Sequence, residues 1–152
     1  MKDVLEVPAQ DEEVQWDDDA LSWVVQETAG YPYFLQQYGQ DIWNAATGPD
    51  RIGIIDACFG AAAASAALDG GFFRARWDRA TKAEHDYLRA MAVDGDHGSS
   101  TGEVARRLGR RTRSLGPARA SLISKGLIYA PDHGQIAFTV PGMGDFINRQ
   151  PA

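Results

Sequence analysis

Cysteine is almost missing from these 152 residues: Cys58 stands alone, so no internal disulfide forms and no four-cysteine zinc site exists. A reducing compartment fits, and a cytoplasmic protein is the expectation. Cys58 itself falls in an apolar helical stripe without a histidine beside it, which reads as packing. Lysine is scarce too. Lys2, Lys82 and Lys125 follow Met1, Thr81 and Ser124, so the Gly-Lys-Ser/Thr that closes a phosphate-binding loop is absent. His85, His97 and His133 fall on three separate predicted elements and no Gly-x-Ser-x-Gly occurs, which leaves nucleophilic triads without support. No catalytic residue, no metal site and no enzyme activity are expected of this chain. Long apolar runs are also lacking: Ala57 to Leu68 is mostly alanine, too short and too mild to cross a bilayer. The opening Met1–Asp19 carries Asp3, Glu6, Asp11, Glu12, Glu13, Asp17, Asp18 and Asp19 in place of a basic and then apolar leader. No membrane contact is expected.

What is present is a 44% apolar composition, enough for a buried core, and a formal charge of −6 that hides a split. Residues 1–80 hold 14 acids against 5 bases, whereas residues 81–152 hold 7 against 10. A polyanion would therefore meet the second half. Residues 1–17, with Pro8 and no sustained period, read as an acidic tail or linker. Three helices are predicted over about 18–29, 32–47 and 55–69, each ended by glycine. The third is expected to bury Cys58, Phe59, Ala62 and Ala66. Together they make a helical, lid-like domain over 18–74, ahead of a second domain over 75–150. Thr81 with Glu84 three residues on forms a capping box that opens a helix burying Tyr87, Leu88 and Met91. The cluster Asp94-Gly95-Asp96-His97-Gly98 lacks a glutamate at the twelfth position, where Ala105 stands, so it reads as a flexible turn in place of a calcium loop.

Residues 100–126 have the rhythm of a helix-turn-helix. Ser100 or Thr101 caps a short helix over about 102–108, Gly109 ends it, and a second helix runs from about 112 to Lys125 before Gly126. Ile128-Tyr129-Ala130, a turn at Pro131-Asp132-His133-Gly134 and the alternating Ile136, Phe138 and Val140 form a hairpin. That order is a winged helix, and the fold class is mainly α: a three-helix bundle, then a winged helix-turn-helix with a small β-hairpin wing. Between Thr101 and Gly126 seven bases (Arg106, Arg107, Arg110, Arg111, Arg113, Arg119, Lys125) face one acid, Glu103. Such a surface suits phosphates; its alternative is a solvated basic face that balances the acidic half. Helical projection points Arg113, Pro117, Ser121 and Ser124 outward. Of these only Arg113 suits base edges, so contact with double-stranded DNA would run mainly through phosphates with little sequence discrimination. Ser114 at the helix start and His133 at the wing tip complete the candidate surface. Arg119 is expected to pair internally with Glu84 or Asp86.

The run Thr28-Ala29-Gly30-Tyr31-Pro32-Tyr33-Phe34-Leu35-Gln36-Gln37-Tyr38-Gly39, followed by Ile42-Trp43-Asn44-Ala45-Ala46, resembles the C-terminal part of AAA-type ATP-binding proteins of archaea and actinobacteria, relatives of the STAND ATPases. Phe72–Thr81, Gly126–Pro131 and Ile136–Pro141 are similar to the same family. There a nucleotide-binding core is followed by a helical lid and a winged helix. The resemblance implies that Gly30 and Pro32 match a Gly-x-Pro lid motif whose proline leans on adenine; the other reading is a plain turn that begins a helix. ATP or ADP would enter only through an upstream core, so this chain is expected to carry no cofactor of its own. Its partners would be duplex DNA and such a core, or another protein if it is an interaction or regulatory module without DNA binding. The oligomeric state is open.

Overall fold

A computed structural model describes all residues, Met1–Ala152, and divides them into two compact units, Met1–Gly71 and Phe72–Ala152. Helix takes up 65% of the chain, and a small antiparallel three-stranded sheet lies near the C-terminus. The division falls three residues before the expected one. Phe73 stacks on Phe146, with ring centroids 5.4 Å apart, and so belongs to the second unit.

In the first unit the expected acidic tail is corrected. Residues 3–11 form α1 (Asp3–Asp11), with Leu5 and Ala9 buried, and Gln15–Trp16 form β1. The acids hid this because they occupy the exposed side of the helix, whereas two apolar side chains and one strand suffice to dock the segment. β1 pairs in parallel with β2 (Arg51–Ile52), Gln15 opposite Arg51 and Trp16 opposite Ile52, and Asp17 forms an ion pair with Arg51. Between the strands run α2 (Asp18–Glu27) and α3 (Pro32–Ala45), close to the expected spans. Gly30, at φ +69°, supplies the left-handed turn between them, and Pro32 opens α3 where a first helical turn needs no N–H.

α4 (Ile54–Leu68) packs along α3, but not by the face expected of it. Ala57, Gly60, Ala61, Ala64 and Leu68 are buried, while Phe59 is 74% and Ile55 70% exposed and Cys58 is exposed as well. The small residues win the inner face because α3 comes so close. A Cβ added at Gly60 would lie 2.3 Å from the Ile42 Cα, a backbone atom that cannot yield without moving the helix. Helix propensity alone favours Gly60→Ala by about 1 kcal/mol. We expect the opposite sign, a loss of about 3 kcal/mol in urea denaturation, because the added methyl must push α3 and α4 apart. An unchanged or raised midpoint would contradict this crossing.

A π-helical turn over Asp69–Phe73 carries the helical run on into α5 (Arg74–Asp78), which corrects the expected end of the third helix at about Asp69, before Gly70-Gly71. Residues 54–78 are thereby long and apolar enough to cross a membrane by length and composition alone, at a mean hydropathy of 1.2 with 28% of the window buried.

The second unit continues with α6 (Lys82–Ala92), a short 3₁₀ turn, β3 (Ser99–Ser100), α7 (Thr101–Leu108), a 3₁₀ turn over Thr112–Leu115, α8 (Gly116–Ser124), β4 (Ile128–Tyr129), β5 (Gln135–Phe138) and α9 (Met143–Asn148). The sheet order is β3-β5-β4, with Ser99 opposite Ile136 and Ile128 opposite Phe138. Helix, strand, two helices and a two-stranded wing is the order of a winged helix-turn-helix. β3 is too short and polar to show a period, and α9, which buries Met143, Phe146 and Ile147 on α6, was not anticipated. The expected helix from 112 also starts later. Pro117 has no N–H to return to the Arg113 carbonyl, so the α-helical ladder begins at Gly116 and the preceding turn stays 3₁₀.

Candidate nucleic-acid interface

The expected capping box opens α6. Thr81 N–H donates to Glu84 Oε2 at 2.7 Å and Glu84 N–H donates to Thr81 Oγ1 at 3.3 Å. Glu84 is only 4% exposed and serves two further donors, Lys125 Nζ at 2.7 Å and Ser121 Oγ at 2.6 Å. Burial pushes its carboxyl up, but hydrogen bonds from Lys125, Ser121 and Thr81 outweigh that and hold it at about 2. Two residues expected at a DNA surface, Lys125 and Ser121, therefore face inward from the end of α8 and tie it to the start of α6. Arg119 is corrected in turn: it pairs with neither Glu84 nor Asp86. Its Nε is buried without a partner, and its charge acts on Tyr87, whose hydroxyl burial pushes up and Arg119 pulls back.

A second internal clamp removes another expected contact. Arg107 donates from Nη1 and Nη2 to the two carboxylate oxygens of Asp94 at 2.7 and 2.9 Å, and from Nη1 to the Ala90 carbonyl at 2.9 Å. Asp94 also accepts from Ser99 Oγ at 2.7 Å. The Arg107 and Ser99 hydrogen bonds hold its carboxyl down at about 2. Asp94, which opens the segment expected to be a flexible turn, is thus anchored, because this forked pair joins α7 to the end of α6; Gly95–His97 after it form a 3₁₀ turn. No group of acids, histidines and cysteine fit to hold a metal ion occurs. Arg106 is exposed but chelated by Glu103 one turn earlier, and that bond raises its pKa.

What remains is the turn between α7 and α8. Ser100 Oγ caps α7 by accepting from Glu103 N–H at 3.0 Å, and Gly109, at φ +63°, ends it. Arg110, Arg111 and Arg113 follow, all exposed and none within an ion pair. Ser114 Oγ donates to the Arg111 carbonyl at 2.8 Å, closing the 3₁₀ turn on which Arg113 sits. Pro117 and Ser124 are exposed on α8. His133 is exposed at the tip of the wing, where its N–H donates to Asp132 Oδ1 at 2.7 Å. Between wing and helix lies an open cleft of about 680 Å³, lined by Thr101, Thr112, Gly116, Arg119 and His133 among others. The structure thus brings together Arg110, Arg111, Arg113, Ser114 and Pro117 at one turn, whereas His133 lines the cleft, which none of those five does; Arg110, Ser114 and Pro117 border a separate hollow with Glu84, Asp86 and Ser121. The structure withdraws Arg107, Ser121 and Lys125. Thr101 and Thr112 border the cleft, having been expected only as helix caps, and so does Arg119, which was counted in the basic cluster but expected to pair internally.

Gly30 and Pro32 lie in the first unit, the one in a left-handed turn and the other in the first turn of α3. No curated protein matches the chain. A family model described as a domain of unknown function, DUF8462, matches residues 70–147 and so takes in α5 to α9 with the whole helix-turn-helix and wing.

Proposed function

We propose that this chain, which belongs to the DUF8462 family, binds double-stranded DNA through its phosphate backbone, with α8 and the wing on either side of the contact. The observation that carries the reading is selective pairing. Arg106, Arg107 and Lys125 are neutralised by Glu103, Asp94 and Glu84, whereas the three arginines of the turn keep their charge exposed. Three exposed positive charges concentrated at the turn of a helix-turn-helix suit a row of phosphates, whereas a solvated face leaves them to water, and the salt response separates the two. α8 presents proline, alanine and serine outward, side chains that fit close to a groove but read few base edges.

Titrating labelled duplex DNA at two salt concentrations tests this. Three phosphate contacts give a slope of log affinity on log salt of about −3, so raising salt from about 50 to about 200 mM weakens binding roughly fortyfold. Scrambling the duplex sequence changes little. Absence of binding at about 50 mM, or a flat salt response, rejects the phosphate-led mode.

An interaction module without DNA binding is the second reading, and one feature favours it: the exposed Ile55 and Phe59 on α4 form an apolar stripe in the first unit. The flat salt response would support it. On the resemblance to lid and winged-helix regions, an ATP-binding core is the partner we propose for the first unit. Nucleotide chemistry would then belong to that core, since no lysine here follows a glycine.

A further inference from the structure

The hollow that Arg110 borders, of about 410 Å³, is walled by the first turns of α6, the end of α7 and the start of α8. Its apolar lining is Leu108, Leu115, Pro117 and Ala118, of which Leu108 and Ala118 stay half-buried and Pro117 exposed. Two opposite charges stand in the same lining, Asp86 from α6 and Arg110 from beyond the end of α7. Both are exposed and both lie outside every ion pair, so neither neutralises the other. The remaining charge of the hollow is already engaged. Glu84 accepts from Thr81 N–H, Ser121 Oγ and Lys125 Nζ, the last through both carboxylate oxygens, so its acceptor sites are filled.

We propose that this hollow binds a free amino acid with an apolar side chain, whose ammonium meets Asp86, whose carboxylate meets Arg110 and whose side chain covers the apolar lining. The volume lies in the range of small-ligand sites. A cation alone would leave the guanidinium unanswered and an anion alone the carboxylate, whereas a zwitterion answers both. A purely apolar molecule would forgo the two charges, and a purely polar one the contact with Leu108 and Leu115. Arg110 is long and exposed, so its planar fork can close on a carboxylate held from the α6 side. The same arginine belongs to the turn offered to DNA, and on that reading amino acid and duplex compete for it.

The experiment follows proton–nitrogen correlation spectra of the full chain during a titration with L-phenylalanine at constant pH and salt, to about 20 mM, enough to saturate a millimolar site. The amide signals of Asp86, Leu108, Arg110 and Ala118 are expected to move along one saturable curve. 3-Phenylpropionate, which lacks the ammonium, and 2-phenylethylamine, which lacks the carboxylate, each bind about tenfold more weakly. Asp86→Asn removes the preference for phenylalanine over 3-phenylpropionate and keeps the one over 2-phenylethylamine; Arg110→Gln does the reverse. Both positions are exposed and unpaired, so both variants fold as the parent does. No saturable shift, shifts confined to residues outside the hollow, phenylalanine bound no better than either one-charge analogue, or preferences that survive the two substitutions would each overturn the site. None of these readouts involves DNA, so the hollow and the duplex contact fail separately.

Discussion

Changing Arg110, Arg111 and Arg113 together to glutamate is expected to weaken duplex binding about a thousandfold at about 50 mM salt, since each released counterion contributes about tenfold there. The fold should not notice. All three side chains are exposed and outside every ion pair, and surface changes of that kind stay within about 0.5 kcal/mol. Lys125→Gln, by contrast, leaves the affinity of the folded protein nearly unchanged, because that ammonium already sits on Glu84. Anisotropy titrations at matched folded fraction separate the two classes. If the triple variant bound as well as the parent, DNA would not sit on this turn.

The helix-turn-helix was legible because its signals are local. Ser100 caps three residues ahead, Gly109 and Gly126 take positive φ, and Ile136, Phe138 and Val140 alternate. What escaped was set at a distance. Glu84 meets Lys125 and Asp94 meets Arg107 through tertiary packing, so no spacing in the chain announced that two basic residues were already engaged. α4 misled for another reason: with alanine on every side, hydropathy carries almost no period, and the inner face was chosen by the space at Ile42. The opening segment misled by composition, its acids outnumbering the few side chains that dock it.

The second large effect concerns the buried pair. Lys125→Met leaves the Glu84 carboxylate 4% exposed without its cation and is expected to cost about 3 kcal/mol, which for a unit of this size lowers the melting temperature by more than about 10 °C. Acid unfolding reports the same contact. Glu84 titrates at about 2 when folded against an ordinary 4.5, so its contribution is complete above 4.5 and is lost as pH falls towards 2. Over that window the folded state weakens by about 3 kcal/mol from this group. In Glu84→Gln that part of the pH dependence disappears while the dependence through Asp94 remains, which urea midpoints taken at stepped pH would resolve. A wild-type curve no steeper than that of Glu84→Gln would show the pair to be inert.

The parallel ladder between Gln15–Trp16 and Arg51–Ile52 has a consequence for a chain growing from a ribosome. β1 emerges well before its only strand partner, and parallel pairing must wait for the chain between them to close a loop. Until Arg51 and Ile52 appear, the first sixteen residues have no sheet to join. The acids of that stretch, Asp3, Glu6, Asp11, Glu12 and Glu13, favour its solvation over the same interval, so the acidity that conceals its structure also suits the wait before docking.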